Sequence, residues 1–410
     1  MKTTLAMTSL LIAICAGMHA QVVPAANGPG WPSISGNLHY SLRYSQTAEF
    51  GSNLGDWQTS TAAASVDYTN GKERLPFSLT YGGGYTWTLA GPSDTTGLFQ
   101  HLLLSQGIVG RKWNLLFSDD VSYRPAAPTT GFSGVPGSGD PIGGSGPASP
   151  SSQTILTVNA HVVDNVANGE FRDSLDHATT FSAGGNSELL RYPDGNGLDT
   201  TTSTAHAGLS RRLDARNFLS GTYRYSRSSY PGSTFSLATQ SGLFGFTHDW
   251  TAKISTDVSA GPQWTGSSDK ATVPASLGVT ANAALHYQFR AVTADFNYSR
   301  SVNGGAGYLY GAQLDSFGGG FSRTVGRNLT VGLEASYRRT AGLESNGVTH
   351  AEYGGAQASR RMGRYFSAFA NYTAIDQSSS SALPATALSQ LMHVVGFGVE
   401  YSPRATQLKR

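Results

Sequence analysis

The sequence predicts an all-β fold, a transmembrane antiparallel up-and-down β-barrel of about 18 strands. Three observations predict it: apolar and polar residues alternate with period two, the connections alternate between short and long, and charge is scarce. Only 13% of the 410 residues are charged, and 50 are glycine. Because a soluble domain of this length normally carries about 25% charged residues, the composition argues against one.

The N-terminus has the pattern of an export signal. Lys2 gives a charged start, residues 10–16 form an apolar core, and Ala20 is a small residue before a cleavage point at Gln21. The only cysteine, Cys15, lies in this segment, so the mature chain is expected to have no thiol. The predicted organisation is a signal peptide (1–20), a periplasmic N-terminal segment (21–33), the barrel (34–402) and a C-terminal tail (403–410).

Each predicted strand has one apolar and one polar face. Between residues 329 and 337, apolar residues at odd positions alternate with polar or small residues at even positions. The same alternation runs through residues 38–44, 77–87, 219–226 and 292–299. The stretches run to about 12 to 17 residues, longer than the roughly 9–11 that a tilted strand needs to cross a bilayer.

Short and long connections follow one another along the chain. About eight short and about nine longer connections give 18 strands, with 16 as the alternative count. An even number places both chain ends on the side of the short turns, which is periplasmic in outer-membrane barrels. The longest connection, 125–153, is rich in Pro, Gly and Ser. We expect this segment either to form an external loop or to fold into the lumen.

A sheet with an apolar outer face cannot leave bare edges in lipid, so it must close on itself. A barrel of 18 strands leaves a lumen wide enough for water. The charges on its polar face either pair with one another and hold the wall, or create a field across the lumen that favours polar solutes. The lumen-lining candidates are His39, Arg43, Arg224, Asp295, Asn297, Glu334 and Arg338. Asp119 is an exception, because it has the apolar parity of Leu115 and Phe117, and a β-bulge would be one way to redirect it.

Aromatic residues gather near the ends of the predicted strands, as in the girdles that flank the apolar band of membrane barrels. The predicted girdle comprises Tyr40, Tyr44, Tyr81, Trp87, Trp113, Tyr123, Tyr223, Tyr225, Tyr298, Tyr337 and Tyr401. Arginine clusters at three short turns. These arginines are expected either to be solvated beside anionic lipid headgroups or to form a surface that binds a periplasmic partner. This predicted periplasmic rim comprises Arg211, Arg212, Arg216, Arg323, Arg327, Arg360, Arg361 and Arg364.

With these features the chain resembles bacterial outer-membrane β-barrels of the porin type. The resemblance covers nearly everything after the signal peptide and rests on architecture, not on a named motif. It implies an outer-membrane location, contact with outer-membrane lipid and insertion by the barrel-assembly machinery. Such barrels often end on an aromatic residue, whereas here the last strand is followed by residues 402–410, which end in Arg410.

No enzyme is predicted. The sequence has no G-x-S-x-G, P-loop, H-E-x-x-H or C-x-x-C motif. His39 and Ser41 share one strand face, a spacing expected by chance in a Ser-rich strand. No cofactor or metal is expected, and the net charge of +2 gives no case for nucleic acid.

Three functions fit these expectations. The first is passive diffusion of small hydrophilic solutes through a channel, with the solute unknown. The second is an outer-membrane barrel of an exopolysaccharide export system, with a partner at the arginine rim. The third is a surface protein that uses its long loops for adhesion and transports nothing.

Overall fold

The computed structural model is a closed antiparallel barrel of 18 strands, which confirms the predicted fold class and strand number. It describes residues 36–51, 55–91, 96–125, 161–195, 197–305, 308–344, 347–380 and 390–408. The predicted signal peptide, the segment 21–33 and most of the loop 125–153 lie outside these residues. Within the described part of the chain, no helix is long and apolar enough to cross a membrane.

The 18 strands of the barrel are longer than those of ordinary globular sheets and range from 10 residues in β18 to 16 in β10. The first nine are β1 (Gly36–Phe50), β2 (Trp57–Thr69), β3 (Phe77–Ala90), β4 (Gly97–Val109), β5 (Trp113–Pro125), β6 (His161–Ser174), β7 (Thr179–Arg191), β8 (Thr200–Arg212) and β9 (Asn217–Ser229). The others are β10 (Ser236–Thr251), β11 (Ile254–Ser267), β12 (Ser276–Phe289), β13 (Val292–Asn303), β14 (Ala312–Val325), β15 (Leu329–Gly342), β16 (Val348–Met362), β17 (Phe366–Ser379), β18 (Met392–Tyr401) and the short β19 (Thr406–Leu408).

Each strand pairs with its neighbours in sequence, and β1 closes the ring against β18. Leu42 lies opposite Tyr401 and Phe50 opposite His393 at this seam. The short β19 continues the seam, because Thr406–Leu408 pairs with the first residues of β1. Every strand edge between β1 and β18 therefore has a hydrogen-bonded partner, as an apolar environment requires.

The two ends of the barrel differ in their connections. The short-turn end carries the links 70–76, 110–112, 175–178, 213–216, 252–253, 290–291, 326–328 and 363–365. The long-loop end carries the links 51–56, 91–96, 126–160, 192–199, 230–235, 268–275, 304–311, 343–347 and 380–391. The link 70–76 is the longest of those at the short-turn end. Its Asn70 side chain accepts from the N–H groups of Lys72 and Phe77 and donates to the Leu75 carbonyl, which holds the turn together.

The two faces of the wall have different surroundings. On the outer face large apolar side chains are exposed, as at Phe244, Leu277 and Leu333. On the inner face apolar side chains are buried where loops and strand ends gather at the long-loop end. One buried inner cluster joins β16, β17, β18 and β2 through Trp57, Ala351, Tyr353, Ile375, Met392 and Val394. The barrel therefore has its packed core inside one mouth and its largest apolar surface outside.

Candidate functional site: the inner wall

All the side chains predicted to line the lumen lie on the face opposite the exposed apolar residues. The register shows this directly. Asp295 lies opposite His286, while its neighbour Phe296 on the outer face lies opposite Leu285. Likewise Glu334 lies opposite Gly320 and Gly355, while Leu333 faces outward. The same parity holds for His39, Arg43, Arg224, Asn297 and Arg338.

The charged members of this set contact other inner-wall residues. The His286 ring is in contact with the Asp295 carboxylate, and the Tyr353 hydroxyl donates to Glu334. The Arg43 guanidinium lies 3.9 Å from the centre of the Phe369 ring, a distance typical of a cation–π contact. Arg224 is exposed. Only some of the charge is therefore held against a neighbour, and Arg224 remains open to a solute.

A row of charges that sequence analysis did not find crosses β6, β7 and β8. His206 Nε2 lies 2.9 Å from Glu170 Oε2, although the whole of β7 separates their strands. The contact is possible because Gly184 lies between them, and a Cβ there would be 2.4 Å from Glu170 Oε2. Arg224 is the register partner of His206 on the next strand. The sequence shows these residues on polar parity, but only the register shows that a glycine lets two of them meet.

His39 and Ser41, which share a strand face, do not contact each other in a catalytic geometry. Ser41 Oγ lies 2.8 Å from Ser65 Oγ. His39 lies between Ser402 Oγ, at 2.9 Å from Nε2, and Asp67 Oδ2, at 3.5 Å from Nδ1. A serine hydrolase would need a free backbone N–H near its serine to stabilise an oxyanion. The N–H of Ser402, whose hydroxyl lies beside His39, instead donates to the Tyr365 carbonyl. The arrangement ties β2 and β1 to the residues that follow β18.

The loop between β13 and β14 folds into the long-loop mouth. Of its residues 304–311, the structure describes 304–305 and 308–311. The Tyr230 hydroxyl after β9 donates to the Gly304 carbonyl at 3.0 Å. A Cβ at Gly304 would lie 3.0 Å from Thr200 Cγ2, so the backbone runs close against the inner wall of β8. A connection from one side of the ring thus reaches a part of the wall several strands away.

Aromatic side chains fix this loop. Tyr310 makes edge contacts with Tyr230 and Phe235, at ring distances of 5.0 and 5.1 Å, and Tyr308 makes one with Tyr192 at 5.7 Å. Burial raises the pKa of Tyr192 and Tyr230 above the ordinary tyrosine value, so both hydroxyls stay neutral. Tyr308 and Tyr310 therefore narrow the interior at the long-loop end, and the two-residue alternation of the sequence gives no signal for it.

The predicted girdle residues all lie on the outer face, in two rows. Near the short-turn end Tyr40 lies 6.3 Å from Tyr401 between ring centres. Nearer the long-loop end Tyr44 lies 6.2 Å from Trp87. Trp113 begins β5 at the short-turn end, and the other predicted members follow the same outer parity on their strands. Rings at both borders of an apolar band mark the two membrane interfaces.

The predicted rim arginines lie at the short-turn end and are exposed. They flank the turns 213–216, 326–328 and 363–365. Acidic residues sit close to some of them. Backbone N–H groups of Ala178 and Thr179 hold the pKa of Asp176 below its ordinary value, with a smaller contribution from Arg211. In the described residues, no group of three or more His, Cys, Asp or Glu side chains is placed to hold a metal ion.

Comparison with known proteins gives structural neighbours only. No protein-family model and no curated protein matches the sequence. The fold is similar to that of Pseudomonas aeruginosa OccK2 (OpdF), with a TM-score of 0.49, 10% identity, and coverage of 90% of this chain and 99% of that one. It is also similar to P. aeruginosa OccK5 (OpdH), with a TM-score of 0.48, 11% identity, and coverage of 92% and 100%. Acinetobacter baumannii OccAB4 has a TM-score of 0.47 at 10% identity, with coverage of 91% and 99%.

The strand order, the polarity of the two faces and the lengths of the connections establish the architecture. A ring of 18 antiparallel strands encloses a polar inner face, and an apolar band with aromatic borders surrounds it. Its turns are short at one end and its loops are long at the other. These features together are those of a closed transmembrane β-barrel.

Proposed function

We propose that this barrel is a channel for the passive diffusion of small hydrophilic solutes across the outer membrane. One observation carries the proposal: a closed ring of 18 strands has polar and charged side chains along its inner face. A ring of this size encloses enough space for water. No step of bond making is needed for this function, and the inner wall provides the polar surface that a hydrated solute requires.

The inner charges support solute selection by polarity. Arg43 and Arg224 project from opposite parts of the ring, and acidic side chains such as Glu170 and Asp295 lie between them in strand order. Fixed charges of both signs around a lumen orient dipolar solutes and exclude apolar ones. Gly304, Tyr308 and Tyr310 pack against the inner wall at the long-loop mouth and reduce the open cross-section there, which favours small solutes.

Conductance in planar lipid bilayers tests the channel. The protein, refolded in detergent and shown to migrate faster unboiled than boiled on SDS gels, is expected to add stepwise conductance. A boiled sample of the same protein is the control. A folded, heat-modifiable barrel that adds no conductance at any voltage would contradict the proposal and favour a non-transporting surface role.

Ion selectivity tests the part played by the inner arginines. Arg43→Ala and Arg224→Ala each remove a positive charge from the inner face, so the reversal potential in a salt gradient is expected to shift toward cation selectivity. Arg227→Ala is a matched control, because Arg227 is exposed on the outer face of the same strand as Arg224. An unchanged reversal potential in both inner variants would remove these two residues from the conducting pathway.

The exposed arginine rim favours a second candidate, the export barrel of a polysaccharide secretion system. A periplasmic scaffold with an acidic surface would bind there by charge attraction. Pull-down with the intact barrel, compared with a variant carrying Arg211→Ala, Arg360→Ala and Arg364→Ala, tests it. Recovery of one periplasmic protein by the wild type alone would support this function. If both proteins recover the same periplasmic proteins in equal amounts, the rim arginines are solvated turn residues that bind no partner.

A further inference from the structure

A carboxylate faces outward from the middle of the barrel wall. The outer row of β5 runs Trp113, Leu115, Phe117, Asp119, Val121 and Tyr123. Asp119 lies opposite Leu104 on β4 and Ala167 on β6. Asn165, also on the outer face of β6, donates from Nδ2 to Asp119 Oδ1 at 2.7 Å. Both polar side chains therefore share the face that elsewhere carries exposed apolar residues.

The height of Asp119 places it inside the apolar band. The ten residue-to-residue steps from Trp113 to Tyr123 rise about 33 Å along the strand, which is about 25 Å along the membrane normal at a tilt of about 40°. That equals the thickness of the band between two aromatic girdles. Asp119 lies between these two borders, close to the midplane, where an exposed ionisable group is costly against lipid.

The strand cannot turn this side chain into the lumen. The ladders that join β5 to β4 and to β6 run without a register shift. The described ladders shift register elsewhere, between Gln58 and Thr59 and between Asp249 and Thr251. A bulge at Asp119, one way to explain its parity from sequence, is therefore absent, and its outward position is set by the ladder.

The wall beside this pair lacks bulky side chains. On the outer faces of β6, β7 and β8 the residues at mid-height are all small, and together we call them the flat sector: Ala167, Gly169, Ala183, Gly185, Ser187, Ser203, Ala205 and Ala207. By contrast, β10 to β12 carry Phe244, Phe246, Val258 and Leu277 on the same face, all exposed. Small residues on a lipid-facing surface allow two backbones to approach closely.

The remaining hydrogen-bonding groups of the polar pair complement each other. Among the described residues, the second N–H of Asn165 Nδ2 and Oδ2 of Asp119 have no partner. A two-fold axis along the membrane normal keeps the height of every residue and exchanges left with right. Asn165 is the register partner of Val121 and reaches Asp119 diagonally through the hydrogen bond, so an axis through that bond brings Asn165 of one copy opposite Asp119 of the other.

We propose that the face formed by Asp119, Asn165 and the flat sector binds a second copy of this chain, as a two-fold dimer in the membrane. Each Asn165 amide then donates within its own barrel and across the contact. The contact is isologous, so one patch serves both subunits. It removes both polar groups from lipid, and the small residues beside them let the two walls meet.

The test measures the oligomeric state of the intact barrel in lipid nanodiscs by native mass spectrometry. The wild type is expected to be a dimer. The double variant Asp119→Leu with Asn165→Leu is expected to be monomeric, with the dimer fraction lowered at least about tenfold, while its heat-modifiable migration is kept. Ala283→Leu, on the outer face of β12, is the matched control and should remain dimeric.

Cross-linking provides a second measurement that does not disturb the polar pair. Only Cys15 is present in the sequence, so Cys15→Ser gives a thiol-free background. Ala167→Cys in this background is expected to form a disulfide-linked dimer under oxidation, whereas Ala283→Cys is not. A monomeric or trimeric wild type, a dimer that survives in the double variant, or equal cross-linking at both sites would overturn the proposal.

Discussion

Neighbouring apolar side chains of β10 differ in exposure, depending on whether they lie on the outer or the inner face of the barrel. Phe244, on the outer face, exposes 74% of its surface, whereas Leu243 beside it, on the inner face, exposes 8%. Leu237 is also buried on the inner face, and a Cβ at Gly311 would lie 2.7 Å from its Cδ2. Apolar groups are thus exposed outside and covered by the chain's own loops inside, which shows that the two walls are built for different solvents.

The same difference explains where the buried residues lie along the barrel. The inner clusters around Tyr192 and Tyr230 form at the long-loop end, where Tyr308 and Tyr310 of the link between β13 and β14 pack against them. Toward the short-turn end the inner wall carries His39, His206 and Arg224, in contact with partly exposed polar neighbours. A solute passing through would meet an aromatic-lined constriction first or last, and a charged passage elsewhere.

The largest expected effect comes from a charge placed on the outer wall. Phe244→Arg puts a guanidinium near the middle of the apolar band, which should cost about 2–4 kcal/mol in folding into lipid. Asn282→Arg places the same charge on the inner face of β12, where Asn282 lies near Ser259, and should cost far less. Urea unfolding in lipid vesicles measures both. Equal losses would mean that the two walls face similar surroundings.

A smaller effect is expected from adding bulk to the inner wall. In Gly304→Leu the new Cβ would lie 3.0 Å from Thr200 Cγ2 and 3.2 Å from Ser228 Oγ. We expect a loss of about 1–3 kcal/mol from overpacking, together with larger open-channel noise as the loop leaves the wall. Gly354→Leu is the outer-wall counterpart, because a Cβ there meets nothing within 4 Å. A loss of stability in Gly354→Leu with no change in Gly304→Leu would contradict the packing of Gly304 against the inner wall.

The smallest effect distinguishes a buried hydrogen bond from an exposed one. Tyr230→Phe removes the donor to the buried Gly304 carbonyl and should cost about 1 kcal/mol. Tyr223→Phe removes a 3.1 Å bond to Gln240 on the outer face, and its effect should be near zero. Unfolding midpoints in detergent give both values. A larger loss at Tyr223 than at Tyr230 would count against the packed loop.

Sequence alternation was sufficient to predict the barrel, since each strand repeats the same two-residue pattern and each turn leaves a local signal. It also placed Arg43 and Glu334 on the polar face, because parity is a local property. It did not predict that Tyr308 reaches Tyr192 or that His206 reaches Glu170. Those contacts depend on which distant strands become neighbours across the ring, and on the gap at Gly184, and neither is encoded by period two.

Strand ends were also predicted less well than strand centres. β15 extends further toward the long-loop end than the alternation of residues 329–337 indicates, because it continues to Gly342. Outside the apolar band both faces meet water, so the outer face no longer needs apolar residues. The hydrogen-bonded ladder nevertheless continues there, and the sequence signal ends before the strand does.

The most direct measurement is the solvent accessibility of single cysteines introduced along β9 from residue 219 to residue 227, in the Cys15→Ser background. Water-soluble, membrane-impermeant thiol reagents should label the even positions, which include 222 and 224. A lipid-dissolved quencher should affect fluorophores at the odd positions, which include 219 and 223. A strict period of two with opposite phases is the predicted result. Equal labelling at odd and even positions would contradict a wall with lipid on one side and water on the other.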